Sequence, residues 1–498
     1  MRKKRLYANT FFSIINQLVI ILCGFILPRF ILKQYGSEVN GLVSSITQFL
    51  GFISMLDLGV GAVVQSTLYG PLASNDNDRV SIIFNSAKKF FRTIALILVL
   101  YVIALSFIYP AFINSSFDTF YTVSLILVIS ISSFVQYYFA VPHQLLLSAD
   151  QRIYIQYNIQ TITIILNTVI SIILIDAGFS IQFVKFVSVI VLLIRPLYIS
   201  IYVKNNYHIN NALTSKTEQI DQKWNGMAQH SATVVMNSVD IIMLSLFSSL
   251  SDVSVYSVYN LVLTGIKQFI SVLSNAFMSL FGDMLVKKET KLINETFDSF
   301  EWFIHTVVVF VFSLTAILIV PFVMIYTKGI EDANYEVPVF AMLICIAIGI
   351  YCLRIPYNTI ISAACHYRET QKSAVIEMII NIVLSLILVK QFGLVGVAVG
   401  TIFAMLYRTI YFVWYLSKNI LYRKVNYFIK HILIDLVQVL MIIPVAYFVK
   451  FELENYIDWI ELAFIYAVFA GFCVVFANYL FYKKEMALIR HKLIFKQK

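Results

Sequence analysis

What limits this chain most is that apolar segments long enough to cross a membrane recur from one end to the other. A helix needs about 20 residues to span a hydrocarbon core of roughly 30 Å. Segments of about that length lie near 10–32, 41–67, 91–112, 119–145, 153–176, 181–203, 227–249, 253–281, 301–326, 336–364, 373–390, 394–416, 430–449 and 458–482. Backbone in hydrocarbon cannot leave its N–H and C=O groups unpaired, so the pattern reads as an all-α integral membrane protein with fourteen transmembrane helices. The composition agrees: 60% hydrophobic, 13% charged and a mean hydropathy of +0.82 exceed what a soluble core requires. The opening "MRKKR" leads into a span that is too long for a signal peptide and lacks a small-residue cleavage site, so it is expected to stay in the membrane.

The basic residues fall unevenly about these spans. "RKKR", "KKFFR", "KKETK", the 418–430 cluster and "KKEMALIRHKLIFKQK" share one side, while the acidic "FELENYIDWIE" lies on the other. Cytoplasmic loops retain Lys and Arg, which predicts a plasma-membrane protein with both termini in the cytoplasm. The net charge of +10 then reflects topology and contact with anionic membrane lipids, and no nucleic-acid module is present. Cys23, Cys345, Cys352, Cys365 and Cys473 show no CxxC or Cys/His ligand spacing, so neither disulfide nor metal is inferred. No HExxH, Walker or GxSxG pattern occurs; a transporter without cofactor is expected rather than an enzyme. The longest loop, 204–226, is polar and reads as a cytoplasmic connector.

An internal repeat organises the spans. "QYGSEVNGLVSSITQFLGFIS" at 34 aligns without gaps on "SVYSVYNLVLTGIKQFISVLS" at 254, pairing Ser37 with Ser257, Asn40 with Asn260 and Gln48 with Gln268. The stretch from 141 aligns on that from 355, pairing Pro142 with Pro356 and Asn167 with Asn381, and Arg195 then matches Arg408. Each copy holds six spans, so both enter the membrane from the same side, and transporters of this kind hold substrate between their halves near the midplane. The expected organisation is a lobe over 1–203, the connector 204–226, a lobe over 227–417, and two additional helices with a basic tail over 418–498.

With "YGSEVNGLVSSITQFLGFISMLDLGVGAVVQSTLYGPLAS" ahead of a basic segment, six-plus-six spans and two more behind, the chain resembles the multidrug/oligosaccharidyl-lipid/polysaccharide exporter superfamily. More narrowly, it is similar to the polysaccharide-transporter (Wzx-type) flippases. The resemblance implies alternating-access transport of an undecaprenyl-diphosphate-linked oligosaccharide for capsule, O-antigen or another surface polysaccharide. It also implies a polysaccharide polymerase and glycosyltransferases as partners, and drive from the membrane potential or a monovalent cation, H+ or Na+.

A charge at the bilayer centre costs about 2.5–3.5 kcal/mol on insertion scales, so each intramembrane charge is a candidate. Where both copies carry the same polar residue, a structural role is expected; where they differ, an asymmetric one. Lys267 aligns with Thr47 and lies about 17–21 Å deep in span 8, where a cation suits a diphosphate. The alternative is an internal pair with Asp240 on span 7. Arg354 aligns with Ala140 and either takes the pyrophosphate or anchors at the interface. Arg29, behind Pro28, either faces the cavity, as the resemblance favours, or snorkels. Gln48 and Gln268 read as bundle packing or as sugar contacts, and the matched Arg195 and Arg408 read as headgroup anchors. Glu377, His305 and Asp435 read as lone residues satisfied locally. Asp57, about 24 Å from the outer face and followed by Gly59 and Gly61, either bonds neighbouring helices or takes part in cation coupling or a gate, for example with Arg354.

Two rival functions fit the hydrophobicity. A multidrug/cation antiporter of the same superfamily would have twelve spans and an acidic cavity. A membrane-embedded polymerase or glycosyltransferase would need a large outer loop with catalytic residues, and the outer loops are short.

Overall fold

The computed structural model describes residues 2–57, 60–113, 116–213, 227–448, 454–483 and 485–486. Among them run fifteen α-helices: α1 (Arg2–Gly51), α2 (Val60–Ser74), α3 (Asn77–Phe112), α4 (Thr119–Val135), α5 (Val141–Ala149), α6 (Tyr154–Asp176), α7 (Ile181–Asn206), α8 (Met227–Phe247), α9 (Leu250–Val286), α10 (Thr290–Tyr326), α11 (Pro338–Leu353), α12 (Ile355–Ala363), α13 (Tyr367–Asn419), α14 (Asn426–Phe448) and α15 (Tyr456–Phe481). No strand occurs among the described residues. Residues 214–226 of the connector and nearly all of the basic tail lie outside them, as does Gly59.

Twelve helical stretches are long and apolar enough to cross a membrane, so the chain is a multi-pass membrane protein. Two of these, of 51 and 53 residues, are more than twice the length that one crossing needs. Each folds back at a glycine. In α13, Glu377, Asn381 and Leu388 face Arg408, Thr401 and Gly396 in descending order, which makes an antiparallel pair of legs about Gly393 (φ 51°). With ψ at −123°, this lies outside the small left-handed region open to other residues, so glycine is required there. In α1, Asn9, Asn16 and Tyr35 bond Tyr154, Thr161 and Phe179, so this leg runs with α6. Past Gly36 (φ 83°), Glu38, Ser45 and Phe49 bond Ser116, Tyr109 and Tyr101, so the next leg runs against α3. Against the fourteen spans expected from the sequence, the described residues hold twelve such continuous stretches, two of them folded.

Within the folded α13 the legs nearly touch. A Cβ on Gly396 would sit 2.5 Å from the Leu388 carbonyl oxygen and 2.6 Å from its carbon. Gly396→Ala is therefore expected to push the legs apart at a cost of about 1–3 kcal/mol, read as a lower Tm in detergent. An unchanged Tm would mean that the legs can part freely.

The single span expected over 41–67 is instead broken. The α-helix ends at Gly51, a tight 3-10 run carries Phe52–Asp57, and α2 begins at Val60. The Ser54 hydroxyl donates to the Gly51 carbonyl (2.7 Å), a local bond of the kind that competes with the α-helical ladder.

Element borders recur in the repeat's register. The short helices α5 and α12 correspond end to end, Val141 with Ile355 and Ala149 with Ala363, and the starts of α3 and α10, Asn77 and Thr290, keep nearly the same offset. Left-handed, non-glycine residues mark the same turns: Asn75 and Lys288, then Gln151 and Cys365. One difference matters below. The link between α4 and α5 is a π-helical turn, Gln136–Ala140, whereas α11 passes to α12 through Arg354 alone.

The chain packs as two compact units, one of residues 1–257 with 329–333, the other of 258–328 with 334–498. In the first, Leu42, Ile46, Phe91, Leu98 and Leu125 form one buried cluster, and Val60, Leu68, Leu146 and Ile199 another. In the second, α14 and α15 pack on α10 through Ile442, Ala470, Val474, Phe310 and Leu314. Lipid tails are as apolar as these side chains, so close van der Waals fit rather than a hydrophobic drive holds such helices together. Large apolar residues such as Phe107, Phe120, Phe464 and Phe472 point outward, which hydrocarbon accommodates.

Candidate functional site

One concentration of charge inside the second unit's helices is cationic. Lys267 sits near the middle of α9, with its Nζ 4.1 Å from the centroid of the Tyr351 ring. The same ring takes the Arg354 guanidinium at 4.9 Å, so one aromatic ring collects two cations. Arg354 occupies the break between α11 and α12, and its Nη1 donates to Glu377 Oε1 at 2.5 Å. Arg408, on the other leg of α13, donates to Glu377 Oε2 at 2.6 Å and lies 5.0 Å from the centroid of Phe412.

Arg354, Glu377 and Arg408 are 5%, 1% and 6% exposed. Exposure this low rules out snorkelling to headgroups, which corrects two sequence readings: Arg408 is not an anchor, and Arg354 is not an interfacial one. Glu377 is corrected too, since it is satisfied by two arginines rather than locally. Arg354 and Arg408 share one carboxylate, and Lys267 joins Arg354 over the Tyr351 ring, so the cluster carries surplus positive charge within the helices. Such an arrangement favours an anion, and a guanidinium fork or an ammonium can each hold a phosphoryl oxygen.

In the first unit, Asp57 has a buried Oδ1 without a hydrogen-bond partner among the described residues and lies within electrostatic reach of His230 and Tyr137. His230 in turn bonds the Ser54 carbonyl at 3.1 Å, which ties α8 to the broken stretch. A Cβ on Gly61 would lie an ordinary 3.5 Å from Leu145 Cδ2. Asp240 is buried on α8 and accepts from Tyr256 Oη (2.9 Å) at the start of α9. Gln48 accepts from Ser238 (3.0 Å), and Asn40 donates to Ser254 (2.8 Å), so both amides tie helices together. Gln268 is exposed on α9, and Arg29 is half-buried on the first leg of α1.

A second buried cluster joins the last two helices to α10 and α12. Glu301, fully buried, accepts from Tyr357 Oη (2.6 Å) and from Arg423, which also donates to Asp298 at 2.5 Å. His305 bonds Asp435 of α14 at 2.6 Å and Tyr357 at 3.2 Å, and His431 bonds Tyr482 just past α15. His305 and Asp435, read from sequence as lone residues, satisfy each other across 130 positions. Tyr357→Phe removes a donor to a buried carboxylate and should cost about 1.5–3 kcal/mol of stability. The check is the Tm in detergent, and an unchanged value would show that Glu301 has other means of satisfaction.

No family model and no curated protein matches the chain. Solved structures do. A structure described as "Lipid II flippase MurJ, inward closed conformation" is similar with a TM-score of 0.71 at 14% identity, covering 96% of this chain and 100% of that one. The inward-facing multidrug resistance MATE family transporter of the MOP superfamily follows with 0.63 at 12% identity over 81% and 94%, and its outward-facing form with 0.59 at 12% over 83% and 94%. This chain shares the fold of these solved structures. That fold is shared by flippases and multidrug transporters, so the cargo must be argued from the charges on the page.

Proposed function

We propose that this protein is a flippase that moves an undecaprenyl-diphosphate-linked oligosaccharide across the plasma membrane by alternating access, for surface-polysaccharide synthesis. The observation that carries the reading is the surplus of positive charge where Arg354 and Arg408 share the single carboxylate of Glu377 and Lys267 lies with Arg354 over the Tyr351 ring. A diphosphate leaving water needs a compensating charge, and these side chains offer it on helices rather than loops. The likeness to a lipid II flippase over the whole of that chain supports the same direction. Arg29, Gln48 and Gln268 are assigned supporting contacts to the substrate. Asp57 and Asp240 are assigned to coupling with a monovalent cation, H+ or Na+, or to gating. Anionic lipids would contact the basic cytoplasmic face, where both termini are placed, and a polymerase and glycosyltransferases would be the working partners.

The rival reading, export of cationic drugs, draws on the likeness to the multidrug transporter and would use the carboxylates instead. Binding of undecaprenyl diphosphate, undecaprenol and a lipophilic cationic dye to the purified protein separates the two. The flippase reading expects the diphosphate lipid to bind at least about tenfold more tightly than undecaprenol, a difference of about 1.4 kcal/mol. Tight binding of the dye with no preference for the diphosphate would favour the drug exporter.

A further inference from the structure

The repeat provides an internal control for the Arg354–Glu377–Arg408 cluster, because the first copy holds the same framework with different residues. Arg195 on α7 is the counterpart of Arg408, and in the alignment that pairs Pro142 with Pro356, Ala140 and Thr163 are the counterparts of Arg354 and Glu377. The first copy thus keeps one guanidinium and lacks both the second arginine and the carboxylate between them. The Thr163 hydroxyl is spent on its own helix, donating to Ile159 at 2.9 Å and Gln160 at 3.1 Å.

The position of the missing arginine, Ala140, borders a space. A cavity of about 170 Å³ lies where α4, the π-helical turn, α5 and α7 meet, and its wall includes Ser132, Gln136, Ala140, Gln144 and Arg195. Two donors there, Nε of Arg195 and Nε2 of Gln144, are buried without a hydrogen-bond partner among the described residues. Leaving such donors unmet costs about 1–3 kcal/mol each, and more for a charged one. The π turn forms part of this wall, and single π turns are frequent at functional sites.

We propose that this cavity in the first unit is an anion site that takes a phosphate-type oxyanion against Arg195, with the Gln144 amide as second donor. The oxyanion would give Arg195 the counter-charge that Glu377 gives Arg408 in the repeat's other copy. A volume of 170 Å³ equals five to six waters at roughly 30 Å³ each, enough for a tetrahedral oxyanion of five heavy atoms. Ile194, Leu197 and Tyr198 beside Arg195 are exposed apolar side chains that face hydrocarbon, so an anionic phospholipid can supply the phosphate as well as the free ion. The inference is independent of the proposed cargo, since it uses only groups of the first unit.

The test uses the full-length protein in detergent carrying Lys267→Ala, so that the other cationic cluster is weakened. Its Tm and its native mass spectrum are followed with inorganic phosphate, with dioctanoyl phosphatidylglycerol, and with dioctanoylglycerol as the phosphate-free control. Expected is a rise in Tm and a bound adduct with one or both phosphate probes, and none with dioctanoylglycerol. A response to phosphatidylglycerol alone assigns the site to lipid, and one to inorganic phosphate assigns it to the free ion. Arg195→Gln should weaken the binding by at least about tenfold, and Gln144→Leu, which removes only an unmet amide, by several-fold in a stably folded protein. Phosphate binding unchanged in both variants, equal binding of dioctanoylglycerol, or no response to any probe overturns the proposal.

Discussion

Lys267→Ala is expected to yield a folded, membrane-inserted protein whose translocation of the lipid-linked substrate falls by at least about tenfold. The two halves of that expectation have separate grounds. Lys267 lies over the Tyr351 ring, an interaction worth about 0.5–2 kcal/mol, so its loss costs little stability. Removing it also takes one cation from a cluster already rich in them, which eases repulsion with Arg354 over the same ring. The substrate, by contrast, loses a charge-assisted contact that is hard to replace at mid-helix depth. Lys267→Arg should retain part of the activity, because charge is kept while geometry shifts. A cysteine at 267 should react with a small water-soluble thiol reagent, and protection in every condition would place the position in packed protein. Export at the parental rate by the alanine variant would remove Lys267 from the mechanism.

Glu377→Gln has the larger structural effect. Its carboxylate bridges Arg354 and Arg408, all three buried, so the amide leaves two guanidinium groups with their shared counter-charge gone. Removing one partner of a buried ion pair costs about 3–5 kcal/mol, and here both sides lose theirs. The protein should express poorly or melt far below the parent. Combining Glu377→Gln with Arg408→Met should recover part of the loss, since the pair acts as one network and the single effects are not additive. A double variant no more stable than Glu377→Gln, or a Glu377→Gln protein that melts with the parent, would deny the bridge its weight.

Most of the fold was legible in the sequence because lipid leaves so little choice. Apolar length gave each leg, and even the folded stretches about Gly36 and Gly393 were read as separate spans from their polar breaks. The repeat was visible in the Pro142/Pro356 and Asn167/Asn381 matches, and the structure adds matching borders for α5 and α12. The break of span 2 was not legible, because "GFISMLDLG" remains apolar throughout and a 3-10 run leaves no signature in hydropathy.

The site was half legible. Lys267 and Arg354 stood out as cations without a repeat partner. Glu377 was missed, although it meets the same criterion, because Thr163 stands at its place in the first copy. Treating it as lone hid the ion pairs that hold Arg354 and Arg408. Pairing over 23 and 31 residues across a folded helix is set by packing, which no local spacing reports. The same holds for His305 and Asp435, whose partnership depends on α14 lying against α10.

The central claim, that a cationic cluster on Lys267 and Arg354 carries a diphosphate-linked oligosaccharide across the membrane, is tested most directly in reconstituted vesicles. Purified protein is placed in proteoliposomes with a labelled undecaprenyl-diphosphate oligosaccharide on one leaflet, and its arrival on the other is followed with a membrane-impermeant glycosidase or lectin. The account predicts transfer well above empty vesicles for the parent, lost with Lys267→Ala and partly kept with Lys267→Arg. Transfer at the level of empty vesicles by the folded parent, or equal transfer by parent and Lys267→Ala, would contradict it.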